Sequence, residues 1–63
     1  MCLFKLIEEN QIRQTNALYE VFFGWISRLA GFDEAMNVVG WCELCHYGEV
    51  YYGDNFKVIV EEI

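Results

Sequence analysis

The chain has 63 residues, of which 56% are hydrophobic and 17% aromatic, and it contains no proline. This composition excludes intrinsic disorder, because disordered chains combine low hydrophobicity with high charge. Ten Asp and Glu against four Lys and Arg give a formal charge of −6, which argues against direct binding to nucleic acid, since phosphates attract basic surfaces. We expect one small α+β domain, residues 1–63, that does not contact nucleic acid itself.

No segment has the pattern of a signal peptide or a membrane span. The apolar residues at the start meet Glu8 and Glu9 before a core of sufficient length forms. Uncharged runs such as residues 21–27 are far shorter than the roughly 20 residues that cross a bilayer. We therefore expect a cytoplasmic protein without membrane contact, whose three cysteines stay reduced.

The N-terminal segment has a weak pattern. Residues 3–8 alternate weakly and fit either a strand or the first turns of a helix. Residues 9–14 are polar and predict a connector.

Residues 18–29 predict a long amphipathic helix, with Thr15 or Asn16 suited to its N-cap. The residues that recur at the spacing of one helical face are Leu18, Val21, Phe22, Trp25 and Leu29. Tyr19, Phe23 and Ile26 widen the apolar arc beyond half of the helix, so a second covering surface is needed. We expect these three residues to mediate self-association into a homodimer.

Two glycines are predicted to bound a shorter second helix. Gly31 suits the C′ position of the first helix, where a left-handed residue is common. Asp33 can cap a helix over residues 34–39, and Gly40 is expected to end it.

Residues 49–60 predict an antiparallel hairpin around a turn at residues 53–55. With a turn of three residues, Tyr52 pairs with Phe56 and both face the core. Tyr51 then lies on the outer face, where it can contact an arginine-rich surface. The predicted fold is α+β: one long amphipathic helix and a short helix packed on a small antiparallel sheet, which is the C-terminal hairpin with or without a third strand from the N-terminal segment.

Three functional patterns overlap in WCELCH, residues 41–46. Cys42, Cys45 and His46 have the spacing of a haem-attachment motif, Trp41 with both cysteines resembles the thioredoxin active site, and the two cysteines form half of a zinc site. Each pattern lacks a part: an export signal, a βαβ framework, or a second pair of zinc ligands. We favour cysteines that pack as small apolar residues, with no metal or cofactor.

Catalytic groups cannot be paired in this sequence, because it has one histidine, scattered carboxylates and no phosphate-binding glycine loop. We expect no enzyme. The alternative that stays open is a small metal-binding or redox module that uses Cys42, Cys45 and His46.

The negative charge lies in the second half, where residues 33–63 hold seven carboxylates against Lys57. Such segregation predicts a negative patch that attracts a basic partner. In size, acidity and lack of catalytic groups the chain resembles small phage-encoded inhibitors of host defence, such as anti-CRISPR proteins and DNA mimics, a resemblance of class and not of motif. It implies an inhibitor that covers a basic, nucleic-acid-binding surface of a larger protein. The residues expected to bind that partner are Asp33, Glu34, Glu43, Glu49, Tyr51 and Asp54.

Overall fold

The computed structural model describes residues 2–63. They form one four-stranded antiparallel sheet and two α-helices that pack on it. The elements are β1 (Cys2–Glu8), β2 (Ile12–Thr15), a π-helical turn (Leu18–Phe22), α1 (Phe23–Ala30), α2 (Phe32–Glu43), β3 (Val50–Tyr52) and β4 (Phe56–Glu62). The strand order is β2-β1-β4-β3. The predicted α+β fold, with helices packed on an antiparallel sheet, is confirmed.

The first and last strands are neighbours at the centre of the sheet. β1 pairs with β4 over its full length, from Cys2 opposite Glu62 to Glu8 opposite Phe56. The side chains buried on the core face of these two strands are Phe4, Leu6, Phe56, Val58 and Val60. Because β1 and β4 pair along their whole length, the acidic second half of the sequence is interleaved in space with the first half.

The polar segment after β1 is a hairpin, and the predicted connector over residues 9–14 is wrong. The backbone amide of Glu8 donates to the carbonyl of Gln11 at 2.9 Å, and Ile12 pairs with Ile7. β2 is an edge strand whose Ile12 is 66% exposed. An edge strand with an apolar residue in solvent lacks the alternation by which a half-buried strand is detected.

The first predicted helix begins as a π-helical turn and continues as α1, and Gly31 ends it. Residues 18–29 divide into the π-helical turn and the eight-residue α1. Gly31 has a φ of 92°, and its amide donates to the carbonyl of Ser27 at 2.9 Å, so its predicted place just after the helix is confirmed. Asp33 does not cap α2, since Gly31 occupies the N-cap position.

The second helix is longer than expected, because α2 continues through Gly40 to Glu43 and has 12 residues. An exposed glycine inside a helix costs about 1 kcal/mol. The burial of Val38, Val39 and Cys42 on the same helix outweighs that cost. Within residues 2–63 no helix is long and apolar enough to cross a membrane.

The core lies between the sheet and the helix layer. The helical residues buried there are Phe22, Ile26, Ala35, Val38 and Cys42. Phe22 packs on Phe4 of β1, with ring centroids 5.8 Å apart. Phe23 and Phe32 meet edge to face at 5.6 Å. The sheet and α2 of the same chain therefore cover Phe22 and Ile26 of the wide apolar arc, whereas Tyr19 and Val21 stay exposed.

The predicted three-residue turn between β3 and β4 is wrong, because the loop consists of Asp54 and Asn55. Tyr51 pairs with Val58 and Tyr52 with Lys57, and the amide of Gly53 donates to the carbonyl of Phe56 at 2.9 Å. A shift of one residue exchanges the faces of a strand. Tyr51 consequently packs against the core, and Tyr52 is 72% exposed.

Candidate functional site

The strand directions give the molecule two ends, which we name the turn end and the connector end. The turn end consists of the β1–β2 turn, the β3–β4 turn and the start of α2, since Glu34 and Asp54 line one cleft. The connector end consists of residues 43–49, the start of β1 and the end of β4. Within the connector end, the Sγ atoms of Cys45 and Cys2 lie 2.9 Å apart.

The predicted partner-binding residues divide between these ends. Asp33, Glu34, Tyr51 and Asp54 lie at the turn end, and Glu43 and Glu49 lie at the connector end. The sequence therefore predicted one patch where the structure has two.

At the turn end a tyrosine contacts one of the carboxylates. The hydroxyl of Tyr51 donates to Glu34 at 3.0 Å, and burial together with this carboxylate raises the pKa of Tyr51. Glu9 lines a cleft with Asp54. The sequence interpretation missed Glu9, and recognition of a two-residue turn at Glu9 and Asn10 would have placed it here.

Basic side chains also lie near the turn end. Arg13 contacts Glu8 at 2.9 Å, and Lys57 lines the same cleft as Glu9. Arg28 is in the last turn of α1, next to residues that line the cleft of Glu34. These cations reduce the negative potential of this end.

At the connector end fewer basic side chains offset the negative charge than at the turn end. Four carboxylates belong to it: Glu43, Glu49, Glu61 and Glu62. Lys5 contacts Glu61 at 3.0 Å, Tyr19 donates a hydrogen bond to Glu43, and His46 Nδ1 lies 2.8 Å from Glu49. A partner that brings arginine or lysine would therefore meet carboxylates that can accept further hydrogen bonds.

Exposed apolar side chains surround these carboxylates. Tyr19 is 57% exposed, Leu44 65% and Tyr47 46%. Tyrosine is enriched at the energetic centres of protein interfaces, because it buries a large area and keeps a polar tip. The connector end thus combines negative charge with the residue types that protein interfaces use.

The three residues of the metal or redox alternative, Cys42, Cys45 and His46, have different surroundings in the structure. Cys42 is fully buried in the core, and burial raises the pKa of its thiol to about 12. Cys45 contacts Cys2 instead, and His46 contacts Glu49. Among residues 2–63 no group of three or more His, Cys, Asp or Glu side chains is arranged to hold a metal ion.

The three residues predicted to mediate self-association are placed differently from one another. Tyr19 is exposed, Phe23 is half-buried against Phe32, and Ile26 is fully buried in the core. The prediction is wrong for Ile26, since a residue covered by its own chain cannot contact a second copy.

Comparisons with protein-family models, with curated proteins and with solved structures find no match to this chain.

Proposed function

We propose that the protein is a small acidic inhibitor that binds a basic, nucleic-acid-binding surface of a larger protein through its connector end. It acts by occupying that surface and not by catalysis. It would act in the cytoplasm, as an inhibitor of the type of phage-encoded anti-defence proteins such as anti-CRISPR proteins and DNA mimics.

One observation carries the proposal: carboxylates and exposed tyrosines share the connector end. Glu49 and Glu62 are exposed there. Tyr47 lies near Glu62, and Tyr19 donates a hydrogen bond to Glu43. A negative surface steers a basic partner into contact. The aromatic residues then supply the desolvated area on which affinity depends.

Opposite ends of the protein can be tested separately. The central strands have seven residues and span about 20 Å, whereas salt screens exposed charges over about 8 Å at physiological ionic strength. A charge reversed at one end therefore has little effect on a contact at the other end.

Homodimer formation stays a prediction. Its remaining support is the exposure of Tyr19 and Phe32 on the helix layer, since Ile26 belongs to the core.

The test compares three immobilised proteins in a bacterial cell extract, the setting that the resemblance to phage inhibitors implies. They are the wild type, the variant E49K/E62K at the connector end, and the control variant E9K/D54K at the turn end. Both variants change the net charge by the same amount. Thermal unfolding shows beforehand that each is folded.

We expect one or a few basic proteins to be retained by the wild type and by E9K/D54K but not by E49K/E62K. The wild type should also displace labelled DNA or RNA from the purified partner. Equal retention by both variants would contradict a binding role for the connector end, and a partner that keeps its nucleic acid would contradict inhibition by occupancy.

A further inference from the structure

Two cysteines from distant parts of the sequence meet at the connector end. Cys2 begins β1 and Cys45 lies between α2 and β3, 43 positions later. Their sulfur atoms are 2.9 Å apart, and both residues are free, half-buried cysteines. A disulfide needs sulfurs at about 2.0 Å, so these two sulfur atoms must approach each other by roughly a further 0.9 Å to bond.

The backbone holds Cys45 in an unusual conformation. Its φ is 50°, which is the left-handed region that residues with a Cβ rarely adopt. Backbone hydrogen bonds fix it on both sides, from its amide to Cys42 at 3.1 Å and from the amide of Tyr47 to its carbonyl at 2.9 Å. Conformations of this kind persist where the surrounding structure over-determines them and often mark functional positions.

The two thiols are chemically unequal. Cys2 Sγ lies within hydrogen-bond distance of the thiol of Cys45, 2.9 Å away, and of the hydroxyl of Tyr47, 3.2 Å away, and either partner of each pair can donate. The contacts with Cys45 and Tyr47 lower the pKa of Cys2, and the contact with Cys2 raises the pKa of Cys45. The position of Cys2 between Cys45 and the Tyr47 hydroxyl, with its lowered pKa, favours Cys2 as the nucleophile and Cys45 as the resolving thiol of a redox-active pair.

We propose that Cys2 and Cys45 form a thiol–disulfide exchange site whose co-substrate is a low-molecular-weight disulfide. The Cys2 thiolate attacks one sulfur of that disulfide, a mixed disulfide forms, and the first thiolate leaves and takes a proton from water. Cys45 then attacks the Cys2 sulfur of the mixed disulfide and gives its proton to the second leaving thiolate. Two protein thiols are oxidised, and one small disulfide is reduced to two thiols.

The product joins the start of β1 to the segment between α2 and β3. That segment carries Tyr47 and Glu49, so the disulfide would hold the connector end in one arrangement. The exchange site itself does not depend on the proposed inhibitor function, because it follows from the two sulfur atoms and their neighbours.

The experiment exposes reduced protein at neutral pH to excess 2-hydroxyethyl disulfide, a neutral probe that the nearby carboxylates neither attract nor repel. Samples are quenched with acid, alkylated under denaturing conditions and analysed by mass spectrometry with peptide mapping. We expect an intramolecular disulfide between Cys2 and Cys45, with Cys42 alkylated as a free thiol.

Two variants identify the roles of the thiols. C42A should form the same disulfide, because Cys42 takes no part. C45A should stop at a single mixed disulfide on Cys2. Thiols at Cys2 and Cys45 that remain free in excess probe, or a bond that includes Cys42, would overturn the proposal. The mapping of wild-type protein decides the matter even if C45A fails to fold.

Discussion

Ile26 offers a direct test of the core, because the sequence placed it in a dimer interface and the structure places it inside the chain. Its side chain is fully buried, among Phe22, Ala35 and Val38. We expect Ile26→Ala to lower the free energy of unfolding of the monomer by about 2–5 kcal/mol, as for other buried Ile or Leu residues cut to Ala.

That decrease is large for so short a chain. At about 0.05–0.15 kcal/mol per residue, a domain of this length has a total stability of roughly 3–9 kcal/mol. The variant should therefore unfold at a much lower urea concentration than the wild type, with the midpoint followed by the fluorescence of Trp25 and Trp41. A small domain loses about 4–8 °C of Tm for each kcal/mol, so thermal unfolding gives a second readout.

Ile12→Ala is the matched control, since Ile12 is 66% exposed on the edge strand β2. Its stability should stay within about 0.5 kcal/mol of the wild type. Unchanged unfolding of Ile26→Ala would show that Ile26 does not stabilise the core of the monomer. Sedimentation that shows a wild-type dimer dissociated by this substitution would place Ile26 in an interface instead.

The remaining predictions concern Tyr51 and two glycines. Tyr51→Phe removes the hydrogen bond to Glu34 and should cost about 0.5–1.5 kcal/mol in urea unfolding at neutral pH. The pKa of Tyr51 is raised in the fold from its ordinary value of 10.0, so the stability from this hydrogen bond is complete below pH 10 and is lost as the pH rises through the folded pKa. A stability difference between Tyr51→Phe and the wild type that grows at alkaline pH would contradict this reasoning. Gly40→Ala, in open space on α2, should stabilise by about 0.5–1 kcal/mol, whereas Gly53→Ala places a methyl group into the ring of Phe56 and should destabilise by about 1–3 kcal/mol. Thermal unfolding of both glycine variants distinguishes these opposite signs, and a destabilised Gly40→Ala would show that α2 does end at that residue.

The sequence predicted those parts of the fold that local periodicity determines. The helical spacing identified Phe22 as a core-facing residue, which is buried. The β-branched run after the turn became β4. Both are properties of a few consecutive residues, and a buried face imposes them directly.

Other features depend on long-range packing that no short window contains. The hairpin register depends on Gly53, which lets the ring of Phe56 pack over its backbone. Placing all apolar residues of the hairpin on one face predicts a three-residue loop instead, which is wrong. The contact of Cys2 with Cys45 arises because β1 pairs with β4 and brings the start of the chain beside the end of α2. Nothing in the spacing of the cysteines predicts it.

We propose the connector end as the surface that binds a basic partner. The most direct measurement is the affinity of a synthetic arginine-rich peptide for the wild type, E49K/E62K and E9K/D54K, by fluorescence anisotropy at several salt concentrations. Because E49K/E62K removes two carboxylates that accept charge-assisted hydrogen bonds, it should weaken binding by at least about 1.4 kcal/mol, which is tenfold in Kd. E9K/D54K should bind nearly as well as the wild type, and every affinity should fall as salt rises. Equal weakening by both double variants, or a larger effect of E9K/D54K, would show that the connector end is not the surface that binds the peptide.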